Sequence, residues 1–237
     1  MRRKWITGRE LSRCLTLPFT RDKSHDIESI GDLCRRREIM FVMQSVGVIP
    51  IDVKRVGIWV LAAGCHKGLL TPQGLGFLYV DGNLDGLHPA YLAMGGLENP
   101  PADLIARPND VALRTGAGRF ELGNFNLLGI YGYGLDASLN LITDFGIQRI
   151  EEHLISLGDY LMERLDKLNI DLAGPRERSK RTHIYVTRME ADWLAYFAEN
   201  NVRVSPERDG IRISFGLFNN LEDVETVCEL IRARRTG

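Results

Sequence analysis

Between Asp26 and Arg37, apolar residues return at helical spacing: Ile27, Ile30, Leu33 and Cys34 stand at offsets of 0, 3, 6 and 7, the stripe of an amphipathic helix. Ser24 or Asp26 can cap it. The pattern then turns continuous. Ile39-Met-Phe-Val42 and Val56-Gly-Ile-Trp-Val-Leu-Ala-Ala63 are apolar runs of the kind buried strands use. Gly74-Leu-Gly-Phe-Leu-Tyr-Val80 predicts another strand, entered through a turn at Pro72 and Gly74. From Asp81 to Gly118, a stretch holding Pro89, Pro100, Pro101 and Pro108, periodicity is lost apart from Tyr91-Leu-Ala-Met94, which predicts a long irregular excursion. Two helices follow, Leu127 to Phe145 and Gln148 to Leu168, the second with Ile150, Leu154, Leu157, Leu161, Leu165 and Leu168 near helical spacing.

The last part of the chain alternates compactly. It predicts a strand from His183 to Thr187, a helix from Ala191 to Asn200, strands from Val202 to Ser205 and Ile211 to Phe215, and a helix from Leu221 to Arg234. Val224, Val227, Cys228 and Ile231 share one face of that last helix, and Asn220 with Asp223 supplies its cap. Helix, strand and strand first, then a small α+β unit of about a hundred residues, give an α/β chain in two parts: 1–147 and 148–237.

Composition narrows the function classes. Among 237 residues, 30 Lys and Arg face 31 Asp and Glu, so the net charge is −1; the electrostatic driving force of a sequence-independent nucleic-acid binder is missing. No membrane span is expected, because Val56 to Cys65 falls far short of the about 20 apolar residues a spanning helix needs. The basic opening Met-Arg-Arg-Lys-Trp is followed by Arg9, Glu10 and Arg13, which interrupt any apolar signal region, so a cytoplasmic chain is expected. Cys14, Cys34, Cys65 and Cys228 lack the paired spacing of a zinc site and read as packing thiols, Cys65 included; no metal site is expected.

The stretch Ala62-Ala-Gly-Cys-His-Lys-Gly-Leu-Leu-Thr-Pro-Gln-Gly-Leu-Gly-Phe-Leu-Tyr-Val80 carries the candidate chemistry. A lysine at the end of a buried strand, among small and apolar residues, is where desolvation can free an amine for Schiff-base chemistry. Lys67 stands there. Around it lie Gln44-Ser-Val-Gly-Val-Ile-Pro-Ile-Asp-Val53, His66-Lys67 with Gly76 to Val80, Arg119-Phe-Glu-Leu-Gly-Asn-Phe-Asn126, and Gly210-Ile-Arg-Ile-Ser-Phe-Gly-Leu-Phe-Asn219. In order and spacing these four blocks resemble the class V aminotransferase family of pyridoxal-phosphate enzymes, over roughly Ser24 to the end.

That resemblance implies a fold-type-I transferase: a partial large, cofactor-binding domain with a mixed sheet over 1–147 and a small C-terminal α+β domain over 148–237. It implies pyridoxal 5'-phosphate as cofactor, a small amino acid or keto acid as substrate, and a homodimer. Lys67 would form the internal aldimine and shuttle the Cα proton. His66 would approach the cofactor phosphate, Gln44 the ring hydroxyl, and Asn124 the phosphate across the dimer interface. Arg212 would grip the substrate α-carboxylate, a task for a planar bidentate donor.

The chain also departs from the family. Where relatives carry an Asp that partners the pyridine nitrogen, Ile39-Met-Phe-Val-Met-Gln44 holds no acidic residue. Gly64 stands where relatives often have a phosphate-binding Ser. The upstream region in which relatives bind phosphate at a helix N-terminus has no counterpart in residues 1–20. The loop Asn201 to Gly210 lacks the catalytic Cys of cysteine desulfurases, which disfavours sulfur transfer by that route. Two functions therefore stand: a class V aminotransferase-like protein acting on a small amino acid through Lys67, or a truncated or degenerate, non-catalytic homologue serving as a dimerising or interaction domain.

Overall fold

Asp52 shows why the apolar run from Val56 to Ala63 is not one strand. Its carboxylate accepts from the backbone N–H groups of Lys54 and Arg55, both at 3.0 Å, a helix N-cap. Gly57, in the left-handed region at φ 73°, closes that helix after a single turn. Val56 is thus the end of a helix, and the strand begins at Val60.

The computed structural model describes residues 14–17, 27–37, 40–43, 46–82, 84, 87–100, 111–123 and 129–236. They belong to two units. One draws on Met1–Leu17, Ile27–Gln44 and Ile51–Leu139, the other on Pro18–Asp26, Ser45–Pro50 and Asn140–Gly237.

In the first unit, β1 (Cys14–Leu17) runs parallel to β2 (Met40–Met43) with Cys14 opposite Met40. Between them in sequence lies α1 (Ile27–Arg36), the helix expected from the apolar stripe; its proposed caps, Ser24 and Asp26, lie outside the described residues. After α2 (Val53–Val56), β3 (Val60–Gly64) and β4 (Gly76–Val80) pair antiparallel from Val60↔Val80 to Gly64↔Gly76. The proline-bearing excursion has order of its own. Short 3₁₀ turns at Met94–Gly96 and Gly116–Phe120 flank an antiparallel bridge between Leu97 and Leu113.

The two expected helices are α3 (Gly129–Phe145) and α4 (Ile147–Lys167). In the second unit, α4 buries Ile150, Leu154, Leu157, Leu161 and Leu165, as their spacing requires. A four-stranded antiparallel sheet follows in the order β5 (Leu172–Ala173), β6 (Ile184–Thr187), β8 (Gly210–Ser214), β7 (Ser205–Glu207). The strand expected from Val202 to Ser205 starts later, because the Val202 N–H is taken by the Phe197 carbonyl at 2.8 Å, which finishes α5 (Trp193–Glu199). Cross-strand pairs share a face. Tyr185 and Thr187 stand with the buried Ile213 and Ile211, and Tyr185 lies against Gly158 of α4. The opposite face bears Ile184, Val186, Arg212 and Ser214.

The last helix, α6 (Leu221–Thr236), is capped as expected. Asn220 Oδ1 accepts from Glu222 N–H at 2.7 Å, while Asp223 Oδ2 accepts from Asn220 N–H at 3.0 Å, a reciprocal capping box. Glu225 ties α6 to α4 by accepting from Arg164 at 2.6 Å and from the Tyr160 hydroxyl. Among the described residues, no helix is long and apolar enough to cross a membrane.

Candidate active site

The β3–β4 pair ends at Gly64 and Gly76, and the connecting loop is closed by its own backbone. Cys65 N–H donates to the Leu75 carbonyl at 2.9 Å, Thr71 N–H to the Cys65 carbonyl at 3.1 Å, and Leu70 N–H to the Lys67 carbonyl at 2.9 Å. Cys65, Leu69 and Thr71 are buried, so the loop has a small core of its own. From α3, the buried Ser138 hydroxyl donates to the Leu69 carbonyl at 2.6 Å. Lys67 sits inside this clamp, half-buried, with His66 exposed beside it.

The His66 ring folds back over Gly64. A Cβ built on Gly64 would lie 2.8 Å from His66 Cε1 and 2.9 Å from Nδ1, closer than real Cβ contacts come. The imidazole therefore fills the space a Ser side chain would need. Cys65 is 0 % exposed, and burial pushes its thiol up; that disfavours the thiolate a reactive cysteine needs and fits a packing role.

Arg212 lies in the second unit, on β8 between Val186 of β6 and Ser205 of β7. Its Nε is buried and takes no hydrogen-bond partner among the described residues, a costly condition for a guanidinium. It is the kind of orphan donor that an incoming carboxylate satisfies. Burial first, and the Arg212 charge second, bring His183 down to about 4; near neutral pH the imidazole beside the guanidinium is uncharged. His183 also lines a shallow surface pocket with Val48, Ile49, Glu151, Leu154, Ile155 and Thr182.

Of the residues the sequence singles out, the structure sets His66 and Lys67 in one turn and Arg212 on a separate unit. Gln44 and Asn124 lie outside the described residues. Ser138 and His183 were not singled out: a Ser in mid-helix and a His at a strand end carry no periodic signal, and their roles come from tertiary contacts.

The model of the family described as aminotransferase class-V matches residues 23–227. An uncharacterized aminotransferase of Schizosaccharomyces pombe is 36% identical over 220 residues, which are 88% of this chain and 55% of that protein. A probable cysteine desulfurase of Pyrococcus abyssi is 29% identical, over 90% of this chain and 57% of its own length. The chain spans about half the length of the curated relatives it matches. Among solved structures, the apo cysteine desulfurase of Thermococcus onnurineus superposes with a TM-score of 0.81 at 24% identity, covering 95% of this chain and 60% of that one. The cystine C–S lyase C-DES, in complex with cysteine persulfide, superposes with a TM-score of 0.76 at 18% identity, covering 92% and 60%. Both likenesses establish the fold: the fold-type-I architecture of pyridoxal-phosphate enzymes.

Proposed function

The chain belongs to the class V aminotransferase family, a pyridoxal-phosphate-dependent one, and from that premise we propose that it binds pyridoxal phosphate through Lys67 and acts on a small amino acid. The observation that carries this reading is the Lys67 turn. A lysine and a histidine stand side by side in a loop held by Ser138 and by three backbone bonds, rather than on a freely solvated strand end. The groups present suit cofactor and substrate: an amine for the aldehyde, an imidazole for the phosphate, and at Arg212 a buried nitrogen lacking an acceptor for the substrate carboxylate.

When bound, the cofactor supplies an electron sink for negative charge at the substrate Cα. The chain's own residues do the rest. Lys67 would hold the cofactor through its amine and would move the proton at the substrate Cα. His66 donates to the phosphate. Gln44 and Asn124 serve the ring hydroxyl and the phosphate, Asn124 across a homodimer. Arg212 would donate to the substrate carboxylate as a planar fork, and neutral His183 adds no second positive charge beside that guanidinium. The unit that includes Ile51–Leu139 acts as the partial cofactor-binding domain, and the one that includes Asn140–Gly237 as the small domain.

A second reading is favoured by one feature, the absence of a carboxylate from β2, Met40–Met43. Without an anion at the ring nitrogen the electron sink is weakened, and the chain then serves as a non-catalytic dimerising homologue.

Titrating the full chain with pyridoxal phosphate separates the two. The enzyme reading expects a saturable visible band, a covalent adduct on Lys67 after borohydride, and neither in Lys67→Ala. Absence of any band beyond that of free cofactor overturns it.

A further inference from the structure

Leu70 has a left-handed backbone, with φ 53°. That region is unfavourable for a residue with a Cβ and is kept only where the surroundings over-determine it. Here they act from both sides. The peptide before Leu70 is held at its two ends: its N–H donates to the Lys67 carbonyl at 2.9 Å, and its carbonyl, that of Leu69, accepts from the Ser138 hydroxyl at 2.6 Å. The peptide after Leu70 is held through Thr71 N–H, which donates to the Cys65 carbonyl at 3.1 Å.

A peptide unit is planar, so turning the Leu69 carbonyl toward Ser138 also aims the Leu70 N–H at Lys67. One rigid plane thus connects a side chain of α3 to the backbone of Lys67. Ser138 is 7% exposed, and a buried carbonyl that loses its donor is costly. In Ser138→Ala the Leu69 carbonyl loses that donor, the plane rotates toward water, and Leu70 leaves the left-handed region. Helix propensity meanwhile favours the alanine, so α3 itself is not weakened.

We infer that Ser138 is a positioning residue for Lys67: through the Leu69–Leu70 peptide it sets the turn that presents Lys67 together with His66. This rests on the reading of Lys67 as the cofactor lysine, and Ser138 touches neither cofactor nor substrate in it. Pyridoxal phosphate, which under that reading meets both side chains at once, depends on the turn. Acetaldehyde, which meets the amine alone, does not.

The test follows adduct formation at Lys67 with each aldehyde, trapped by cyanoborohydride and read by peptide mass, together with amide hydrogen exchange at Leu70. The full chain is compared with Ser138→Ala and with Ser138→Ala carrying Leu70→Gly. Ser138→Ala is expected to slow the pyridoxal phosphate adduct by about tenfold or more, to keep acetaldehyde at the parent's rate, and to raise exchange at Leu70. Glycine enters the left-handed region without a Cβ penalty, so adding Leu70→Gly is expected to recover most of the pyridoxal phosphate rate. A mere loss of stability would not be recovered in this way, because glycine adds freedom to the unfolded chain. If both aldehydes slow together, if pyridoxal phosphate keeps the parent's rate in Ser138→Ala, or if Leu70→Gly restores nothing, Ser138 only supports the fold and the inference is overturned. Should Ser138→Ala fail to fold, the parent decides: protection of the Leu70 amide supports the held peptide, and exchange as fast as that of an exposed amide overturns it. A parent that forms no Lys67 adduct with pyridoxal phosphate overturns the Lys67 reading instead, and does so before any variant is made.

Discussion

Gly64 is a residue whose meaning comes from its neighbour. Restoring the family's Ser there puts a Cβ 2.8 to 2.9 Å from the His66 ring, and the ring, being the end of an exposed side chain, gives way. Gly64→Ser should therefore leave stability within about 0.5 kcal/mol yet weaken pyridoxal phosphate by about tenfold, read by the same titration; tighter binding would refute this account of the turn. His183 gives a pH prediction. Its pKa is lowered from 6.5 to about 4, by burial and then by Arg212, so between those values the unfolded chain binds the extra proton. Stability is full above pH 6.5, falls as the pH drops, and levels off below about 4, a loss of about 3 kcal/mol. Urea unfolding from pH 4 to 7 should show that slope, reduced in His183→Gln; parallel slopes would remove the assignment. The turn that holds Lys67 was legible from sequence as the join between two strands, because its surroundings are local. Ser138 was not, since its partner, Leu69, is 69 residues away.

At the scale of elements, the junction of α4 with the sheet depends on the absence of one side chain. A Cβ on Gly158 would sit 1.5 Å from the Tyr185 hydroxyl. Helix propensity favours Ala over Gly by about 1 kcal/mol, but overpacking at a buried site costs about 1–3 kcal/mol, and this overlap is severe. Gly158→Ala is therefore expected to destabilise by about 2 kcal/mol in urea unfolding, where an exposed helix would gain; a gain here would mean α4 does not lie on β6 as described. The long helices were readable because their apolar spacing survives averaging over several turns: α4 begins and ends within a residue of the expected bounds. Short elements were not. The single-turn α2 hid within an apolar run, and two-residue β5 carries too little pattern to detect. β1 was missed for a related reason, its four residues Cys14–Leu17 being defined by pairing with β2.

At the scale of the whole molecule, the surface that bears on assembly is the one beside Gly123, where the described residues of that stretch end. Tyr91 is 88% exposed, Leu122 69% and Leu92 62%, and the Leu122 carbonyl carbon stands 3.1 Å from where a Gly95 Cβ would be, so these apolar residues belong to adjoining stretches of one unit. Isolated exposed apolar side chains are ordinary, but exposed apolar residues on adjoining stretches are the kind of surface another chain can cover. Under the proposed function that cover would be a second copy, and the phosphate role proposed for Asn124 would fall across the interface. Dimerisation and cofactor affinity are then linked, because a site completed by a second subunit is stabilised by mass action. Leu122→Asp is expected to shift the chain from twice the mass of one copy to a single mass in sedimentation, and to weaken pyridoxal phosphate with it. The parent should also bind the cofactor more tightly as chain concentration rises through the dimer range. A parent that sediments as a monomer at every concentration would sink the dimer. A dimer unaffected by Leu122→Asp would move the interface elsewhere, and affinity independent of chain concentration would place the whole cofactor site within one subunit.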